Sequence, residues 1–187
     1  IDAGGFYGIA AEKAIRSANP RPLEPGVYEA ILEPSATADL LGGCSFNLDA
    51  RSADEGRSFF AKKGGGNKLG EKLFDDKIRI YSDPTDEEVP GNPFGAGGLP
   101  QRKIVWIENG VLKNLVYSRY WAQKQGREPV PFASNTLIKG GDASFEDLVK
   151  SVKRGVLVST IWYIRSLDPQ TMLLTGLTRD GNFYIEN

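Results

Sequence analysis

Any chemistry in this chain falls to carboxylates, lysines, hydroxyls and backbone groups, because its 187 residues contain no histidine and one cysteine, Cys44. A Ser-His-Asp triad, a Cys-His pair, an HExxH zinc helix and a histidine proton shuttle are therefore excluded from this sequence. The stretch Gly64-Gly65-Gly66-Asn67-Lys68-Leu69-Gly70, with Lys72 after it, has the glycine content of a phosphate loop. It fits neither GxxxxGK[ST] nor GxGxxG and follows no clear strand, so a flexible loop or a close backbone approach is the plainer reading. Gly56-Arg57-Ser58-Phe59 lacks the second glycine of a nucleophile elbow, and no S-x-x-K pair occurs that would activate a serine. Arg57 reads instead as a fixed donor to a carboxylate or a carbonyl.

The acidic residues offer equally little. Asp83, Asp86, Glu87 and Glu88 carry oxygen ligands of the kind Ca²⁺ takes, but without EF-hand spacing they read as a solvated acidic loop. Asp54-Glu55 and Asp75-Asp76 are adjacent pairs with no spacing that would assign an acid and a base. Cys44, beside Gly42-Gly43 and without a neighbouring base, reads as a small buried hydrophobe. Trp106, Trp121 and Trp162 read as core or interface aromatics rather than a base-stacking platform, since nothing basic is interleaved with them.

Composition narrows the class further. Twenty-three basic residues against 24 acidic ones give a net charge of -1, which argues against a nucleic-acid surface. No apolar run approaches the length of a membrane span and no leader pattern opens the chain, so no membrane role is expected. A single cysteine suits a reducing, cytoplasmic setting. Forty per cent apolar and 25% charged residues are ordinary for a globular domain with a real core.

Periodicity and caps predict the elements that must position these residues. A helix is expected over 6–18, stopped by Asn19-Pro20, and a strand over Val27–Leu32. Pro34 opens a short helix ended by Gly42-Gly43, and 46–62 is helical in part, weakened by Gly56. Ile78–Tyr81 is a strand, and Thr85–Pro100 the longest loop. Ile104–Ile107 and Val111–Tyr117 form a hairpin about Asn109-Gly110. Ser118 caps a helix ending at Gly126, and Ser144 with Asp147 caps a second over Phe145–Val152. Val156–Ile164 is apolar on both faces, hence a central strand covered on both sides. Asp168-Pro169 and Asp180-Gly181 are turns around the last two strands. The closing Ile185-Glu186-Asn187 repeats the Ile107-Glu108-Asn109 that precedes Gly110, as though a second hairpin turn followed.

Four segments in order, EKAIRSANPRPLEPGVYEAILEP, DEGRSFFAKKGGGNKLGEKLF, IENGVLKNLVYSRYWAQKQG and WYIRSLDPQTMLLTGLTRDGNFYIEN, resemble the C-terminal part of the TldD/PmbA family. Its members carry the label modulator of DNA gyrase and are regarded as metallopeptidases. The resemblance runs over nearly the whole chain. It implies an α+β fold, β-rich, with mixed and antiparallel sheets and a few short helices, used in dimerisation. It also implies one C-terminal-type domain over 1–187, with the family's N-terminal α/β half lying outside this sequence; the start at Ile1 agrees with a piece of a longer protein.

In zinc-bearing, TldD-type members an HExxxH stretch follows the segment matching EAILEPSATADLL. The matching positions here are Gly42, Gly43, Cys44, Ser45, Phe46 and Asn47, without either histidine or the glutamate. A further cysteine ligand of those members falls near Leu177-Thr178-Arg179-Asp180-Gly181, where this sequence has none. The resemblance thus points to the zinc-less PmbA (TldE) branch, with no metal or other cofactor in this chain and zinc in a partner subunit. The partner would be a TldD-like paralogue, or a second copy in a homodimer. The expected function is a peptidase subunit that shapes the peptide cavity and presents sheet edges to an extended substrate. Glu55, Arg57, Ser58, Lys68 and Gly70 are expected to line that cavity, and no catalytic residue is assigned. Two alternatives stay open: a stand-alone hydrolase using carboxylates or lysines, and a non-enzymatic structural or interaction protein.

Overall fold

The computed structural model describes residues 3–45 and 48–187. In chain order these form α1 (Ala3–Arg16), β1 (Glu29–Leu32), α2 (Pro34–Ser45), α3 (Ala50–Asp54), β2 (Ile80–Ser82), β3 (Ile104–Glu108), β4 (Val111–Leu112), α4 (Arg119–Gln125), β5 (Leu137–Ile138), α5 (Phe145–Ser151), β6 (Arg154–Asp168) and β7 (Leu173–Glu186), with a 3-10 turn at Ala96–Gly98. This is the expected α+β class. Contacts divide the chain into two compact units. One comprises Ile1–Gly43, Asp142–Arg165 and Leu174–Asn187, the other Cys44–Gly141 and Ser166–Leu173. The readings placed on Phe46, Asn47 and the Cys44 side chain lie outside the described residues.

The first unit is built on a three-stranded sheet in the order β1-β6-β7. β1 runs parallel to β6, with Glu29 opposite Gly155 and Leu32 opposite Val158. β6 and β7, hydrogen-bonded neighbours joined by the short turn 169–172, form an antiparallel hairpin. Ile31, Val152 and Ile185 make its small core, with Val149 and Leu157 packed against them. Polar contacts tie the helices to this sheet. Glu33 takes the Lys13 ammonium on Oε2 at 2.5 Å and the Ser159 hydroxyl on Oε1 at 3.2 Å, while Asp39 of α2 accepts the Ile161 N–H at 3.0 Å. Ser144 and Asp147 form the expected capping box at the start of α5.

The second unit holds an antiparallel sheet in the order β4-β3-β2-β5. Its core gathers Phe60, Trp106, Leu112 and Leu115, all essentially inaccessible. Truncating side chains of that size and burial to alanine typically costs about 3–5 kcal/mol for an aromatic, so these positions carry much of the unit's stability. The Trp106 indole N–H finds its one polar partner in the buried Ser82 hydroxyl, at 2.6 Å. Ser118 caps α4 and Gly126 closes it in the left-handed conformation, as the sequence predicts.

Several sequence expectations are corrected. α2 does not stop at Gly42-Gly43 but continues to Ser45, and a Cβ on Gly43 would sit 3.7 Å from Leu174 and 3.9 Å from Ile164. Packing against the sheet overrides the weak helix propensity of glycine there. Asp180-Gly181 is not a turn: both residues have positive φ (61° and 104°) yet lie inside the continuous strand β7. The second arm of the Asn109-Gly110 hairpin pairs only over Val111–Leu112, because Val116 and Tyr117 turn to other partners, Asp49 and Val130. β6 is central, as expected, but not covered along its length: Trp162 is 45% and Tyr163 55% exposed in this chain. The two-residue β5 was not anticipated from the sequence.

Candidate functional site

The expected cavity residues fall on α3 and on the segment that follows it. Asp49 starts α3 by accepting the Ser52 N–H at 2.8 Å, and Gly56, at φ 78°, ends it. One helical turn apart, Arg51 reaches Glu55 Oε1 through Nε at 2.9 Å. Arg57 grips Glu55 Oε2 through Nε at 3.0 Å and Nη2 at 2.7 Å. Hydrogen bonds from Arg51 and then Arg57 hold the Glu55 carboxyl below its usual range. All three side chains face solvent, which screens the cluster and keeps its contribution to stability small. Arg57 is thus the fixed donor to a carboxylate that its residue type suggested.

Ser58 is buried, and its hydroxyl has no hydrogen-bond partner among the described residues. Beside it, the Lys68 ammonium donates to the Phe59 carbonyl at 2.5 Å and stands 4.4 Å from the centre of the Phe59 ring. Gly70, at φ 84°, donates its N–H to Leu112 O at 2.8 Å. Gly64, Gly65 and Gly66 all have positive φ and form the tip of a narrow loop, closed where Lys62 N–H meets Gly66 O at 2.9 Å. These glycines serve the backbone; no phosphate cradle is needed to explain them.

What orders this loop is a set of residues that sequence reasoning missed. Asp54 accepts the Asn67 amide on Oδ1 at 2.6 Å and the Trp121 indole N–H on Oδ2 at 2.7 Å. The Asn67 amide also reaches the Tyr117 hydroxyl at 3.4 Å, and its Oδ1 takes the Leu69 N–H at 3.1 Å. Burial is the main cause raising the Tyr117 hydroxyl above its ordinary pKa. Both oxygens of Asp54 are therefore spent on neutral donors that fasten α3, the glycine loop and α4 together. Such a carboxylate positions its neighbours. In the sequence Asp54 stood out only as half of an adjacent acidic pair, and no spacing rule brings 67, 117 and 121 to it.

The acidic loop is pinned by its own carboxylates. Asp83 pairs with Lys103 at 2.9 Å and accepts the Thr85 hydroxyl and N–H at 2.8 and 3.1 Å, while Asp86 accepts the N–H groups of Glu88 and Val89. The Lys103 hydrogen bond, followed by those of Thr85, lowers the Asp83 carboxyl from 3.8 to about 2. A depressed folded-state value means that this contribution is complete above the unfolded value and lost as pH falls through the folded one. We expect an NMR titration to place the Asp83 inflection near 2 and to find it moved up toward 3.8 in Lys103→Met. An unshifted inflection in the parent protein contradicts this pairing.

In the first unit, Gly42 and Gly43 lie on the last turns of α2, while Asn47 lies outside the described residues. Among the described residues no three His, Cys, Asp or Glu side chains come together as metal ligands. A catalytic zinc takes three protein ligands and keeps one position for water, so the described donor set does not fit one, and no step is routed through a metal here. The same unit contains a long edge strand. β7 runs for 14 residues at the margin of its sheet, and its outer side pairs with no strand among the described residues. Within that unit its surface includes the exposed Leu177 and Tyr184. An exposed edge of that length is a template for an added extended chain. No described helix is long and apolar enough to cross a membrane.

Comparison with known proteins gives a consistent result. Residues 25–187 match the family described as PmbA/TldA metallopeptidase C-terminal domain. A protein named metalloprotease from Methanothermobacter thermautotrophicus is 31% identical over 161 residues, covering 78% of this chain and 34% of its own length. The chain thus spans about a third of that curated relative. The crystal structure of TldE from Thermococcus kodakarensis superposes with a TM-score of 0.80 at 25% identity, covering 100% of this chain and 44% of that one. A Bacteroides thetaiotaomicron protein named for modulation of DNA gyrase gives a TM-score of 0.81 at 23% identity, covering 96% and 40%, and supports the fold.

Proposed function

The chain belongs to the PmbA/TldA metallopeptidase C-terminal domain family, and from that premise we propose that it works as the part of a TldD/PmbA-type peptidase that holds peptide while a zinc-bearing partner subunit cuts it. The observation that carries this reading is position-specific. Gly42, Gly43, Cys44, Ser45, Phe46 and Asn47 stand where zinc-bearing relatives are expected to have HExxxH, and the sequence contains no histidine at all. The solved structure named TldE, which covers the full length of this chain, is in keeping with a TldE-like reading. Peptide is held by strand addition along β7, which needs only main-chain groups and so tolerates varied sequences. In the second unit, Glu55, Arg57, Ser58, Lys68 and Gly70 are the residues this proposal assigns to peptide contact, with the Asp54 knot fixing the backbone that carries them. A cytoplasmic site of action accords with the single cysteine.

The test is reconstitution. The full-length protein alone is expected to carry no stoichiometric zinc and to leave an unstructured peptide intact. Co-expressed with a histidine-bearing TldD-type paralogue, it should copurify in a complex that contains zinc and cleaves the peptide. Stoichiometric zinc with peptide cleavage by the isolated full-length protein overturns the proposal.

A further inference from the structure

A cavity of about 870 Å³ runs beside β7 in the first unit, between the segment that leaves α1 and residues Thr178–Tyr184. That volume is within the usual range of ligand sites. Its charged lining is one-sided: Arg16, Arg21 and Arg179 against the single carboxylate of Asp180. In a chain of net charge -1 this is a local concentration of positive charge. Two of the guanidinium groups lie over aromatic rings. Arg179 stands 3.7 Å from the centre of a Trp162 ring and Arg16 4.8 Å from that of Phe183. A stacked guanidinium keeps its N–H edge open for a carboxylate, which it can take in bidentate fashion. Arg16 has one weak, exposed ion pair, with Glu12 at 3.6 Å, and Arg21 has no ion-pair partner among the described residues.

From this geometry we infer that the cavity takes acidic side chains, so that the peptide held on β7 is preferentially one with glutamate or aspartate at alternate positions. The inference rests on the peptide-holding role of β7 proposed above and adds the class of peptide. Alternation follows from strand geometry: successive side chains of an added strand point to opposite faces, and those of one face recur every about 6.6–6.8 Å. One face of the peptide thus meets the arginines repeatedly while the other does not.

The experiment uses the full-length protein and two short fluorescent peptides, one alternating threonine with glutamate and one threonine with glutamine. Binding by anisotropy at low and raised ionic strength is combined with hydrogen exchange of the β7 amides. We expect the glutamate peptide to bind about tenfold or more tightly than the glutamine peptide at low salt, as hydrogen bonds to charged groups warrant. Arg21→Gln and Arg21→Gln/Arg179→Gln should remove that preference stepwise, read as the ratio of the two peptides' affinities for each variant. Arg21 is exposed and makes no ion pair among the described residues, so the single variant is expected to fold as the parent does. If both peptides protect β7 alike and the arginine variants bind the glutamate peptide as the parent does, the acidic preference is overturned and strand addition stands. If the glutamate peptide binds through the arginines without protecting β7, the cavity's preference stands and strand addition falls. Absence of binding by either peptide overturns both.

Discussion

Gly110→Ala is expected to lose at least about 3 kcal/mol of stability, read as a fall in the denaturation midpoint of the purified chain. Three costs combine. Gly110 has φ 74°, and placing a side chain in the left-handed region costs about 1 kcal/mol or more. A Cβ there would lie 2.1 Å from the Phe74 carbonyl oxygen and 2.8 Å from that of Asp75, so backbone must move. The backbone that must move is bonded to the glycine itself: Gly110 O accepts from Leu73 N at 2.8 Å and Phe74 N at 3.1 Å, and Gly110 N donates to Ile78 O at 3.0 Å. Each such bond is worth about 1 kcal/mol net. Asn109, at φ 50° in the same turn, is the control: Asn109→Gly keeps the left-handed backbone and should change stability little. A Gly110→Ala protein within about 1 kcal/mol of the parent would show that the 73–78 segment does not wrap this turn.

Asp54→Ala is expected to cost about 2–4 kcal/mol, since it leaves the buried Trp121 indole N–H without its acceptor and the Asn67 amide with only the long bond to the Tyr117 hydroxyl. The loss should be shared rather than additive. In a double-mutant cycle, Asp54→Ala in a Trp121→Phe background should cost less than in the parent, because the orphaned donor is gone. Hydrogen exchange should show faster opening over 62–70, the loop that Asn67 ties down. Equal costs in both backgrounds would mean that the Asp54–Trp121 bond contributes nothing. If peptide passes along Glu55 to Gly70, the same variant should also weaken peptide binding.

The site was legible in the sequence to an uneven degree. Arg57 as a donor to a carboxylate could be read from its type and neighbours, and Glu55 is the acceptor within two residues. The glycine loop was readable as backbone-driven, because its spacing matches no phosphate motif and three consecutive glycines favour positive φ. Asp54 was not readable. Its partners Asn67 and Trp121 lie 13 and 67 residues away, and pairing at that separation is set by how α3, the loop and α4 pack. Nor was Asp180-Gly181 readable as anything but a turn, since the dipeptide takes positive φ equally where the chain reverses and where, as here, it stays within a strand.

By itself the sequence determined the helix caps at Ser118 and Ser144, the left-handed turn at Asn109-Gly110 and the absence of any histidine to bind zinc. Each of these depends on atoms within a few residues of one another, or on composition alone. Only the tertiary structure decided that α2 passes its two glycines, that 73–78 closes over Gly110, and that Arg16, Arg21 and Arg179 line one cavity. Those outcomes depend on which distant surfaces meet, and for α2 packing outweighs the roughly 1 kcal/mol per glycine by which local propensity would have ended the helix.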